Sequence, residues 1–442
     1  MYKQELKDPL ATAKFFIEIK QDDKAKIVLD LLKPYARTIE QFDELGSLYV
    51  KCSDFESSLE IALKVYNSFS LLPKQKFVAR INIIRGYLQV NKPEDALKFI
   101  KINLQETPDD PELRMEEAFT YFLLDRKDLG EKVLRDILTK PHNEDIGRRV
   151  RFNLGTYDLR NGLFKKGLRE VLLGGRAFNS WHEFPFPKKN LWQGEPAEGK
   201  TILVCAEGGI GDEIISVRFM KHLKEKGLNP IWFTDRKDVV NIFERCGFPC
   251  MSNVKQLPND WLWTNSMPVP SHLDLDQDEL WYGPYLSPVR KAPKLEGVKK
   301  IGIKTMGNPH YDQDLHRTVP FEEMIACIPE DYTIYSFHMD EDLRHPRVIN
   351  LKDKIKSWDD TLDYIDQMDI VVSSCTSLIH AAGSMGKLSV VLTPLLNYYT
   401  WAIPGNKTKW YSDNLTIFRQ KRYDNWDLPL TELKEYLHEN TL

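Results

Sequence analysis

At 442 residues with 42% hydrophobic side chains, the chain is too long for one ordinary core and too apolar to be disordered, so two or three packed domains are expected. A formal net charge of −4 argues against a protein that coats nucleic acid, although a local basic groove is compatible with it. Six cysteines make no disulfide framework in so long a chain: Cys246 and Cys250 are the only close pair, they lack a second half with zinc-ligand spacing, and ordinary reduced cysteines are expected.

In chain order, residues 1–20 are broken by charge and proline, with no continuous apolar stretch, so no signal peptide is expected. No window approaches the ~18 apolar residues of a membrane span. A soluble cytoplasmic protein is the expectation. Residues 1–180 read as helices separated by short breakers. Small or apolar residues recur twelve apart: Gly46 with Ser58, Ile84 with Ala96, and Gly155 with Gly167. Tyr49 and Tyr87 stand three after the first two starts. Between them Thr120 and Lys132 fit less well, with Leu123 in the aromatic slot. The starts advance by 38, 36 and 35 residues, near the ~34-residue period of tetratricopeptide helix pairs, in which small residues let two helices touch. The alternative is a non-repetitive helical domain.

Residues 181–200, with Trp181, Trp192, prolines and lysines, read as a linker. Strand and helix then alternate. A strand at Thr201–Cys205 runs into the turn Gly208-Gly209-Ile210-Gly211-Asp212-Glu213 and an amphipathic helix to about Lys226. A strand at Ile231–Thr234 and a helix ending near Cys246 follow. The Pro- and Trp-rich segment 257–295 resists assignment. Alternation resumes with strands at 300–304, 333–337, 370–373 and 389–393 and helices at 321–328, 358–368 and 377–385. This order predicts two parallel α/β lobes, residues 201–295 and 296–442, with a cleft between them.

Three segments carry chemistry. In the Gly-rich turn, Asp212 at a strand's carboxyl end can act as a general base, or simply cap the helix that starts there. The turn is not a full dinucleotide fingerprint, and the chain has no phosphate-loop motif. The second segment, Lys304–Arg317, places His310, His316, Lys304 and Arg317 in a turn-rich loop that can supply cations to a diphosphate. Alternatives there are a solvated polar loop, or a metal held by His310, His316, Asp312 and Asp314. The third, Ser374–His380, follows the apolar strand Ile370-Val371-Val372 and opens a helix. Thr376, Ser377 and the first free N–H groups suit an anion, and His380 lies on the face of Thr376.

These segments together resemble the GT-B glycosyltransferases of the heptosyltransferase-like (GT9-like) family, and more closely proteins that fuse tetratricopeptide repeats to such a domain. The matching residues are Leu191–Pro196, Gly199–Val204, Glu207–Ile214 and Arg218-Phe219, then Gly307–His310 with Asp314 and Arg317, and finally Met368–Ser373 with Thr376, Ser377, His380, Gly386-Lys387 and Trp410-Tyr411. A more distant likeness is to the O-linked N-acetylglucosamine transferases. The resemblance implies a repeat solenoid followed by two Rossmann-like lobes, with acceptor on the first lobe and a nucleotide-diphosphate sugar on the second. It also implies inversion at the anomeric carbon and neither metal nor cofactor beyond the sugar nucleotide as co-substrate. Asp212 becomes the base. Gly209 and Gly211 line the cleft. Lys304, Asn308, His310 and Arg317 face the donor, and Thr376, Ser377 and His380 cradle its diphosphate. Two positions depart from the family. Cys375 stands where relatives carry an Asp that contacts the sugar, and His338 where they often carry a Gln near the base, so sugar and base stay open. The acceptor is a glycan, a protein or a modified nucleic-acid base, and the repeats offer a protein-binding surface. A rival reading is a repeat-based scaffold with a retired transferase domain, for which Cys375 speaks.

Overall fold

The structure is a computed structural model that describes residues 8–19, 21–174, 184–257, 260–307, 314–339 and 343–439. Two compact units divide the chain, Met1–Pro141 and His142–Leu442.

The first unit is a run of helices: α1 (Pro9–Glu18), α2 (Asp22–Leu32), α3 (Ile39–Lys51), α4 (Phe55–Ser68), α5 (Pro73–Gln89), α6 (Pro93–Glu106), α7 (Pro111–Leu123) and α8 (Lys127–Thr139). The starts are written in sequence. Asp8, Asp54 and Asp110 accept first-turn N–H groups, and Thr38 and Gln41 cap α3 reciprocally. Proline opens α5, α6 and α7, where its missing N–H costs no bond. Each of α3–α4, α5–α6 and α7–α8 is a helical pair, and the turn within it passes through one left-handed residue, Ser53, Asn91 and Asp125 in turn.

Those turns correct the repeat register. Ser53 and Asn91 lie seven residues after Gly46 and Ile84, and Asp125 lies seven after Ala118, not after Thr120. The third small pair is therefore Ala118 with Gly130. A Cβ on Gly130 would come 3.0 Å from the Ala118 carbonyl oxygen, and Tyr121 takes the aromatic slot expected at Leu123.

The second unit begins with a fourth pair, α9 (Glu144–Arg160) and α10 (Phe164–Arg169), turning through Gly162. A Cβ on Gly155 would meet the Gly167 carbonyl oxygen at 2.7 Å, so the helices touch backbone to backbone. Asp158 stands in the aromatic slot, buried and paired with Lys166 at 2.9 Å. This pair shares a core with the α/β part: Leu159, Phe164 and Leu168 belong to the cluster that holds Phe219 and Trp410.

Two parallel sheets follow, each alternating with helices as a Rossmann-like lobe. The first comprises β1 (Thr201–Cys205), α11 (Ile210–Ser216), α12 (Phe219–Glu225), β2 (Asn229–Phe233), α13 (Lys237–Arg245), β3 (Cys250–Met251) and β4 (Leu262–Asn265), in strand order β3-β2-β1-β4. The single helix expected to Lys226 is two, and the unassigned 257–295 segment supplies β4. The second comprises β5 (Lys299–Lys304), α14 (Phe321–Cys327), β6 (Tyr332–Ser336), β7 (Val348–Asn350), α15 (Trp358–Gln367), β8 (Ile370–Ser374), α16 (Ser377–Ser384), β9 (Ser389–Thr393), β10 (Leu415–Arg419) and α17 (Asp427–Glu439), in order β10-β9-β8-β5-β6-β7. β8 and β9 are buried throughout, as central parallel strands with both faces covered require. Strand order reverses between β5 and β8, and between β1 and β4. Ligand crevices in open parallel sheets form outside the carboxyl ends at such switch points. The segment joining the lobes is pinned by Asp363 of α15, whose carboxylate accepts the N–H groups of Val289, Arg290, Lys291 and Ala292 at 2.6–2.9 Å.

Candidate active site

Two helix starts meet across the lobes. α11 leaves β1 through Gly208, whose φ of +72° a side chain would strain, and whose Cβ would collide with Asp212. α16 leaves β8 through Cys375 and Thr376. A Cβ on Gly211 would lie 3.0 Å from His380 Cδ2 and 3.4 Å from Ser377 Cα, so the first turns of α11 and α16 are in contact. A side chain at Gly211 would press on the His380 ring.

Asp212 is half-buried at this junction. Its Oδ2 accepts the Gly209 N–H at 2.8 Å and its Oδ1 accepts the Tyr398 hydroxyl at 3.1 Å. Burial pushes its carboxyl above the ordinary value, against the pull of those two donors and of Arg236. Glu213 beside it is fully buried and points into lobe one, where it takes the Trp232 indole N–H at 2.9 Å and pairs with Arg236.

On the second lobe, Thr376 is extended (φ −127°, ψ 172°) and its hydroxyl bonds back to Ser373 Oγ at 2.9 Å, leaving α16 without a side-chain cap. The first N–H groups of α16 thus carry the uncompensated positive end of the helix. Ser377 forms the first turn. His380, one turn further, is buried; its Nδ1 bonds the Tyr411 hydroxyl at 2.7 Å and its ring stacks on Trp401, 5.1 Å between centroids and 21° between planes. Burial first, then the Arg218 and Arg317 cations, hold the imidazole down to about 3, so it is neutral at ordinary pH.

Cys375 turns away from a carboxylate's role. Its Sγ accepts the Trp401 indole N–H at 2.8 Å, its carbonyl accepts Arg317 Nη1 at 2.6 Å, and burial raises the thiol to about 11. Arg317 is thereby fixed beside the start of α16. Lys304, at the end of β5, donates to the Phe337 carbonyl at 3.3 Å. His338 lies past β6, its Nε2 accepting the Thr305 N–H at 2.8 Å and its Nδ1 bonded to Ser336 Oγ at 2.8 Å, so both ring nitrogens are engaged within the second sheet. Asn308 and His310 lie outside the described residues, as does Asp312 of the alternative metal group; His316 bonds Tyr423 through Nδ1 at 2.8 Å. Among the described residues no group of three or more His, Cys, Asp or Glu side chains is arranged to hold a metal.

The structure therefore brings Asp212, Gly209, Gly211, Cys375, Thr376, Ser377, His380 and Arg317 to one junction, and leaves Lys304 and His338 along the carboxyl edge of β5 and β6. It adds residues that motif reading passed over. The segment after β9 supplies Tyr398 to Asp212 and Trp401 to Cys375 and His380. Arg218 lies at 0% exposure, donating to the Ile215, Trp281 and Trp410 carbonyls and, at 2.8 Å, to the Tyr285 hydroxyl. The available signal was aromatic density: five of the residues between 398 and 411 are Tyr or Trp. Ser374 Oγ and Gln420 Nε2, at the carboxyl ends of β8 and β10, are buried without a hydrogen-bond partner among the described residues. No helix among them is long and apolar enough to cross a membrane.

No family model matches the chain, and no curated protein matches it. Among solved structures it is similar to a glycosyl transferase family 9 protein from Veillonella parvula DSM 2008, with 11% identity over 52% of this chain and 88% of that one and a TM-score of 0.36. It is similar to the dodecameric iron-containing heptosyltransferase TibC in complex with ADP-D-beta-D-heptose (11%, 55% and 77%, TM-score 0.37). A Thermobaculum terrenum O-GlcNAc transferase variant matches over 89% of this chain and 91% of its own, at 10% identity and a TM-score of 0.29.

Proposed function

We propose that the second unit is an inverting glycosyltransferase that moves a sugar from a nucleotide diphosphate to an acceptor hydroxyl. The observation that carries this reading is the contact of two helix starts: a carboxylate with a raised pKa on one faces an uncapped, cation-flanked N-terminus on the other. One side suits removal of a proton and the other departure of a diphosphate, the two events that in-line transfer couples.

In this reading the donor diphosphate lies on the first turn of α16, against its N–H groups, Ser377 and Thr376, with Arg317 neutralising charge as the anomeric C–O bond breaks. The acceptor enters from the β1–β4 side. Asp212 takes its hydroxyl proton as the oxygen attacks the anomeric carbon, and the nucleotide diphosphate leaves toward α16. The Tyr398 hydroxyl on Oδ1 orients the carboxylate, and the remaining lone pairs accept the acceptor hydroxyl. Protein cations and N–H groups supply the charge stabilisation, so transfer proceeds without a metal. The repeats select the acceptor or a protein partner.

Cys375 gives the scaffold reading its one specific support: with Sγ held by Trp401, that position offers the sugar no carboxylate. A thermal-shift panel of UDP, GDP, ADP and CMP species and their sugars separates the two. Stabilisation by one nucleotide family supports the transferase; no stabilisation by any supports the scaffold.

A further inference from the structure

The least expected group in the core is Arg218. A fully buried guanidinium normally faces a carboxylate, because leaving its charge uncompensated is costly. Among the described residues Arg218 makes no ion pair. It is satisfied by three carbonyls and the Tyr285 hydroxyl, and it lies over the rings of Tyr285 at 4.9 Å, Trp410 at 5.8 Å and Tyr411 at 4.7 Å. Tyr411 connects it to the site, since its hydroxyl lies 2.7 Å from His380 Nδ1. Packing fixes this contact: a Cβ on Gly383 would meet the Tyr411 ring at 2.7 Å, and Trp401 stacks on the imidazole.

The proton between Tyr411 and His380 has two placements, and they give His380 opposite chemistry. With the proton on Nδ1, Nε2 is an acceptor and repels an anion. With the Tyr411 hydroxyl as donor, Nε2 carries the hydrogen and can donate. The Tyr285 hydroxyl, the other group hydrogen-bonded to Tyr411, already accepts from Arg218 and donates to the Ile214 carbonyl. A cation over the phenol ring favours Tyr411 as donor to the imidazole, because it stabilises negative charge developing on that oxygen. Arg317, the second cation near the imidazole, and Arg218 itself both oppose double protonation. Asp212 lies across the Gly211 contact, with its own oxygens engaged by Gly209 and Tyr398.

We propose that Arg218 and Tyr411 are positioning residues that hold His380 as the neutral Nε2–H tautomer, making it a hydrogen-bond donor to a phosphate group on the first turn of α16. The tautomer is a property of the ligand-free chain. Only the identity of the ligand as a nucleoside diphosphate rests on the transferase reading. The buried Arg218 thereby sets the imidazole to donate without adding a charge that would trap the departing diphosphate.

The test is nitrogen-15 histidine NMR on the full chain, with His380 assigned by its loss in His380→Gln. The expected wild-type spectrum shows an N–H nitrogen at Nε2 and an acceptor nitrogen at Nδ1. In Tyr411→Phe this fixed pattern is expected to become a mixture of tautomers, and affinity for the nucleoside diphosphate that binds wild type to fall about tenfold, the worth of one hydrogen bond to a charged group. A proton on Nδ1 in the wild type overturns the proposal without recourse to any variant, and so does an unchanged tautomer in a folded Tyr411→Phe. If no nucleotide binds wild type, the transferase reading fails while the tautomer result still decides this proposal.

Discussion

At the scale of single residues the account turns on two side chains shifted in opposite directions. Asp212 is raised by burial, so as a base it is lost at higher pH than an exposed Asp. The acid limb of turnover is therefore expected above about pH 3.9, the usual Asp value. Asp212→Asn keeps the Gly209 cap in reach and removes the base; we expect transfer to fall by about 10²–10⁴ with donor affinity within about twofold, read by initial rates and calorimetry. His380 is lowered to about 3, against about 6.5 in an unfolded chain. The unfolded state then binds the extra proton, so this stabilising contribution is complete above about pH 6.5 and is lost as pH falls toward 3. Melting temperature should drop on acidification from pH 7 to 5, and His380→Gln should flatten the drop; an equal slope in both proteins counts against a buried neutral imidazole. The residues read first from the motifs, Asp212, Thr376, Ser377 and His380, were legible because each sits in a strand–turn–helix pattern. Tyr398, Trp401 and the setting of Arg218 were not, since their roles depend on a segment after β9 folding back over the junction, which no local pattern encodes.

At the scale of elements, glycine marks where backbones touch. Gly155 and Gly167 were readable as a small pair, and the structure leaves each no room for a Cβ. Gly155→Ala should destabilise the second unit by about 1–3 kcal/mol, measured as a lower urea midpoint at unchanged slope. The third repeat was misread by two residues because Thr120 is also compatible with a helix interface. The left-handed turn at Asp125 and the approach of Gly130 to the Ala118 carbonyl fix the register at Ala118, where Tyr121 fills the aromatic slot. β1, β8 and β9 were legible as apolar, largely β-branched runs, and β5 by Ile301 and Ile303 about Gly302. β3, with two residues, and β7, with three, are too short to show a period, and β4 hides in a Pro- and Trp-rich segment.

For the molecule as a whole, repeat pattern and structural unit part company. The fourth helical pair carries the repeat's small residues, yet it lies in the second unit, its Leu159, Phe164 and Leu168 in one core with Trp410. A fragment of residues 142–442 should therefore unfold cooperatively and retain nucleotide binding. One starting at residue 181 should be insoluble or molten, because it strips that core of its helical cover; equal stability of the two would contradict this assignment. The most direct test of the central claim is nucleotide-sugar turnover by the full chain and Asp212→Asn, followed by mass spectrometry across UDP, GDP, ADP and CMP sugars. The account predicts one donor family that binds both proteins and is consumed only by the first. Normal turnover by Asp212→Asn, or no binding of any donor to the wild type, would contradict it.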